Sequence, residues 1–126
     1  MRRALLDTSV LIGAHAPGEL EGAISVASVA ELHFGALIAT DADERARRTQ
    51  RLAVVEATFD PLPVDAPVAR EWGRLAAAIV ERSGRPRRRA MDLLIAATAN
   101  VARVPLLTRD GGDFALIEDL VDVQAP

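Results

Sequence analysis

The chain has 126 residues, half of them hydrophobic, a formal net charge of −3 and no cysteine. That length suits one domain with a real core and is too short for two of usual size, while the missing cysteines exclude disulfides, thiolate metal sites and a Cys nucleophile. All 15 basic residues are arginine, which removes P-loop and Schiff-base lysine chemistry, and the mildly acidic balance leaves any nucleic-acid contact to local charge.

The opening MRRALLDTSVLIGAHA has the basic start and small-x-small end of a leader peptide, but Asp7 interrupts its apolar part. No run approaches the roughly 18 apolar residues that span a bilayer, so the expected location is the cytoplasm, without membrane association. Residues 4–6 read as a buried strand with Asp7 at its C-terminal edge, and AISVAS offers a second strand at about 24–26. Ser25 or Ser28 then caps a helix to about Ile38, and DADE restarts a helix to about Phe59. The Pro-rich DPLPVDAP holds a short strand near 62–64. Pro67 opens the next helix and Gly84 lies just past its end. After an arginine loop a helix runs from about Ala90 to Arg103, VPLLTRD forms a strand ending at Thr108, and LVDVQ forms the last one.

Short strands alternating with helices predict an α/β fold: a three-layer α/β/α sandwich around a mostly parallel sheet, spanning residues 1–126 as a single domain. Parallel sheets place ligands beyond the C-terminal ends of their strands. Isolated acids stand at such places inside apolar frames: Asp7 in ALLDTSVLI, Glu31 in SVAELHFGA, Asp92 in AMDLLIAATA, and Asp110 and Asp113 in LLTRDGGDF. Brought to one edge they would repel one another and raise their own pKa values unless a cation neutralised them. A hard divalent ion with oxygen ligands, Mg²⁺ or Mn²⁺, is the natural partner, and it suits hydrolysis of a phosphodiester by activated water.

The ordered motifs LLDTSVLI, SVAELHFGA, MDLLIAATA and LLTRDGGDF resemble those of the PIN domain, and more narrowly of VapC-type toxin ribonucleases of bacterial toxin–antitoxin pairs. The resemblance covers nearly the whole chain. It implies a Mg²⁺- or Mn²⁺-dependent endoribonuclease that cuts RNA, forms a homodimer, and is inhibited by a small VapB-type antitoxin in a heterotetramer or larger assembly. Asp7, Glu31 and Asp92 match the family's core acids. Asp110 corresponds to the fourth, with Asp113 as support, and Thr8, Ser9 and Thr108 supply hydroxyls that orient carboxylates or waters.

Two other strand-end aspartate enzymes fail on single residues. A haloacid-dehalogenase-like phosphatase requires a second Asp at position 9, which is Ser, and a response-regulator receiver requires a late lysine. From another class, the alternative is a catalytically inactive PIN-like module that binds RNA or a partner protein. No G-x-S-x-G elbow supports acyl transfer. His33 points away from Glu31 on the same helix and His15 falls in a loop, so neither is expected in the site. Arg85, Arg87, Arg88 and Arg89 crowd up to Asp92. Pairing Arg88 or Arg89 with Asp92 along the helix would contribute only about 0.2–0.5 kcal/mol, so Arg87, Arg88 and Arg89 are expected to hold RNA backbone. The helix around Trp72 and residues 52–59 are candidate surfaces for a dimer and the antitoxin, and core packing explains them as well.

Overall fold

The structure is a computed structural model and describes residues 2–12 and 20–126. Its strands are β1 (Arg2–Leu6), β2 (Leu20–Ala23), β3 (Leu106–Leu107) and β4 (Val123–Gln124), joined in the order β2-β1-β3-β4 with every ladder parallel. The helices are α1 (Thr8–Ile12), α2 (Val26–Ile38), α3 (Ala42–Thr58), α4 (Ala66–Glu81) and α5 (Ala90–Ala102), with 3₁₀ helices at Pro86–Arg89 and Gly111–Ile117.

Side-chain alternation along the strands builds the layers. On β1, Leu5 packs into a core with α4, α5 and the second 3₁₀ helix, whereas Ala4 and Leu6 face a second core with Val10, Leu32, Leu52 and Val55. Leu106 and Leu107 divide between the two cores in the same way, as the two-residue period of a strand requires. The expected three-layer α/β/α arrangement with a parallel sheet is what the structure shows.

Several boundaries differ from the sequence reading. The second strand lies at Leu20–Ala23, not at 24–26, because the Ser25 hydroxyl accepts the Ala27 N–H at 3.0 Å and starts α2 there. The strand expected near 62–64 is reduced to one bridge, with Leu62 N–H donating to the Ile24 carbonyl and the Leu62 carbonyl accepting from Val26. Pro61 and Pro63 flank it and lack the N–H that would extend the ladder. The arginine loop is the first 3₁₀ helix, which runs directly into α5.

At the end of α4, Ser83 rather than Gly84 takes the left-handed backbone, with φ 64°. Gly84 is required for space instead: a Cβ there would lie 2.6 Å from both Ile79 Cγ2 and Leu116 Cδ1. Gly84→Ala is therefore expected to cost about 1–3 kcal/mol, read as a lower midpoint in a urea melt. A midpoint equal to the parent's would show that this junction yields freely.

Trp72 is half-buried and residues 52–59 alternate between interior and surface, with Val54 54% exposed, so both segments combine core packing with exposed surface. Trp72 Nε1 donates to the Ala90 carbonyl at 3.1 Å, tying α4 to the start of α5, and Leu52 and Val55 are buried. On α2, Phe34, Leu37 and Ile38 are 64%, 74% and 54% exposed at helical spacing.

Candidate active site

The sheet order makes β1 and β3 neighbours, so their C-terminal ends deliver Asp7 and Thr108 side by side, with the Asp7 N–H donating to the Leu107 carbonyl at 2.9 Å. Asp7 is buried. Its Oδ2 accepts from Ser9 Oγ and Thr108 Oγ1, both at 2.8 Å. Each hydroxyl in turn accepts a backbone N–H at 3.0 Å, from Arg109 onto Ser9 and from Asp110 onto Thr108. Those amides occupy hydroxyl lone pairs and leave both protons for the carboxylate. Among the described residues no hydrogen-bond donor reaches Asp7 Oδ1.

Glu31 arrives from α2. Thr8, at the start of α1, places its Oγ1 2.8 Å from Glu31 Oε1 and 3.1 Å from the buried Ser28 Oγ. Burial raises the Glu31 pKa, the Thr8 hydrogen bond opposes the rise, and the Asp7 charge adds to it. Asp92 stands in the first turn of α5. Its pKa is pushed up to about 6 by burial first, then by the charges of Asp7, Glu31 and Asp113, with Arg89 acting the other way.

Those couplings identify which acids converge. Asp7, Glu31, Asp92 and Asp113 form one electrostatic group, with Asp113 carried by the second 3₁₀ helix. Asp110 is exposed, and its charge is absent from those acting on Asp92. Asp113, likewise exposed, is the one of the two whose charge bears on Asp92. Phe114 and Ile117 are only 2% and 1% exposed, and their burial anchors the segment that sets Asp113 near Asp92.

Arg89 departs from its expected place on an RNA-facing rim. Its Nη1 lies 3.0 Å from Asp113 Oδ1 and 3.6 Å from Asp92 Oδ2, between two of the acids. The second distance is too long for a hydrogen bond, so the guanidinium offsets the Asp92 shift only in part. Arg87 and Arg88 are exposed. His33 Nε2 meets Glu56 Oε1 of α3 at 2.6 Å, clear of the acids, and His15 lies outside the described residues.

As the side chains stand, no group of three or more His, Cys, Asp or Glu among the described residues is set to hold an ion directly. The donor chemistry nevertheless fits a hard cation: oxygen ligands only, two pKa values raised by burial and then by mutual repulsion, and an Asp7 oxygen that no described donor occupies. Arginine already supplies part of the missing positive charge.

The PIN domain family model matches residues 4–120. Ribonuclease VapC5 of Mycobacterium tuberculosis is 40% identical over 95% of this chain and 91% of its own length. The chain belongs to the PIN-domain family, among its VapC-type members. Ribonuclease VapC4 of the same organism is 35% identical over 95% of each chain. Among solved structures, a VapBC-5 toxin–antitoxin structure from Mycobacterium tuberculosis gives a TM-score of 0.84 at 36% identity, covering 99% of this PIN domain and 98% of that chain.

Proposed function

We propose that this PIN domain is the toxin of a VapBC-type pair: a cytoplasmic, Mg²⁺- or Mn²⁺-dependent endoribonuclease that hydrolyses RNA phosphodiester bonds and is restrained by a small VapB-type antitoxin. The observation that carries this is the convergence of Asp7, Glu31, Asp92 and Asp113 from four separate segments, at a cost in burial of charge and in mutual repulsion. The names of the similar proteins point the same way. Phe34, Leu37 and Ile38 on α2 supply an apolar surface suited to the antitoxin or to a second copy in the homodimer.

A divalent ion held by Asp7, Asp92 and Asp113, with Glu31 beside it, would supply activation of water and neutralisation of the charge developing on the leaving oxygen. The chain's own part is positional and protonic. Ser9 and Thr108 fix Asp7, so its Oδ1 needs no reorganisation. Glu31, held by Thr8 with a raised pKa, is placed to accept a proton from the attacking water. Incubation of the purified protein with total RNA and Mg²⁺, with ends mapped, is expected to show discrete cuts; no cutting in either Mg²⁺ or Mn²⁺ would sink the assignment.

Arg89 adds a separate expectation. Because its guanidinium competes with a cation for Asp92 and Asp113, Arg89→Gln should tighten Mn²⁺ binding by about threefold to tenfold, measured by calorimetry without RNA. Unchanged or weaker binding would show that Arg89 does not act as a competing charge.

A further inference from the structure

We propose that the cavity beside the acids is a subsite for one unstacked nucleotide of the RNA strand, adjacent to the phosphodiester that is cut; the proposal rests on the ribonuclease assignment above. The cavity, of about 430 Å³, opens between the end of α4, the first 3₁₀ helix and the second. That size lies within the roughly 300–1,000 Å³ of ordinary small-ligand sites.

Its lining is divided by chemistry. Asp92 and Asp113 line it, so the cavity adjoins the acid group. Arg85 and Arg88 line it as well. Arg89 is engaged by Asp113 and Asp92, whereas no ion pair among the described residues takes up Arg85 or Arg88. The floor is apolar, with Leu93 and Phe114 buried beneath it.

A nucleotide matches all three parts. Planar guanidiniums pair with phosphate oxygens, and the face of a base covers apolar surface. Single-stranded RNA is commonly read through bases splayed out of the stack. The acids repel an anion, which favours placing the flanking phosphate at Arg85 and Arg88, whose charge no described carboxylate takes up. An acidic peptide would meet the arginines but leave the floor exposed, and a purely apolar side chain would leave the arginines unpaired. Of the arginines expected to hold RNA, Arg88 lines this cavity, and it is joined there by Arg85, which lay outside the expected set.

Gly112 offers a way to close the subsite without strain, since it lines the cavity, has no positive φ, and a Cβ there meets nothing within 4 Å. The test uses a short single-stranded RNA with one mapped cleavage site, in which each nucleotide flanking the cut is replaced in turn by an abasic residue. With the parent protein, one flanking position is expected to lower kcat/KM by about tenfold or more. Gly112→Leu and Arg88→Ala should each cut the intact RNA more slowly and lose most of that difference between intact and abasic substrates. Their melting curves should match the parent's, since both positions are exposed.

An abasic penalty of the same size in the parent and both variants would overturn the subsite while leaving the nuclease intact, and would point to a protein partner's side chain as the occupant. Absence of any flanking-base penalty in the parent would overturn it as well. If the parent cuts no RNA, the ribonuclease assignment fails and takes the subsite with it.

Discussion

Asp92→Asn is expected to abolish RNA cleavage and, in the same molecule, to make the metal-free protein more stable. The carboxyl group titrates at about 6 in the folded chain against an ordinary value of 3.8, so between those values the folded state binds more protons than the unfolded one. Stability from this group is therefore full below about pH 4, falls as the pH rises to about 6, and stays reduced above that. Asparagine carries no charge at any of these pH values. Its advantage over the parent should open between pH 4 and pH 6 and persist at pH 7. The gap in pKa sets a ceiling of about 3 kcal/mol. With the side chain 25% exposed and the neighbouring charges screened by solvent, roughly 1–1.5 kcal/mol is the expected gain. That corresponds to a rise in Tm of about 3–8 °C in EDTA at pH 7. Added Mg²⁺ should raise the parent's Tm more than the variant's, because the ion binds the intact acid group better. A variant that cuts RNA at the parent rate would remove Asp92 from the site. One that is no more stable than the parent would show that burial and the neighbouring acids do not penalise the Asp92 charge as described.

This trade between stability and chemistry also explains which parts of the site were legible beforehand. Asp7, Glu31 and Asp92 stood out because each interrupts an apolar frame, and a charge in such a place calls for a reason visible in local sequence. Thr8, Ser9 and Thr108 followed from adjacency to those acids and to the strand ends, and the structure puts their hydroxyls against Glu31 and Asp7. That Asp113, and not Asp110, bears on Asp92 has no local signal. It depends on how Phe114 and Ile117 bury the second 3₁₀ helix, a long-range packing event. Arg89 was undervalued for a related reason. Along the helix it has one weak partner in Asp92, and its nearer partner, Asp113, comes from a distant segment. The layers of the fold were readable from alternating strands and helices. The misplaced second strand was not, since Ser25 serves both as helix cap and as bridge partner to Leu62.

Thr108→Val tests how far the hydroxyl pair, rather than the acids alone, makes the site. Valine matches threonine in shape but lacks the Oγ1 that donates to Asp7 Oδ2 and accepts the Asp110 N–H. Thr108 is 2% exposed, so water cannot readily replace those bonds, and a loss of about 1–3 kcal/mol in stability is expected. Ser9 still reaches Asp7, but one donor no longer fixes the carboxylate in rotation, and Oδ1 loses its preset direction. Removing a group that orients a metal ligand typically costs about 10- to 100-fold in affinity or activity. Mn²⁺ affinity and kcat/KM on a mapped RNA should therefore fall together within that range. Thr108→Ser keeps the oxygen and should restore most of both. The stability loss alone does not separate the possibilities, since any buried hydroxyl would produce it. The deciding measurement is Mn²⁺ affinity at a temperature where both variants are fully folded: a valine variant that binds the ion as tightly as the parent would reduce Thr108 to a packing residue.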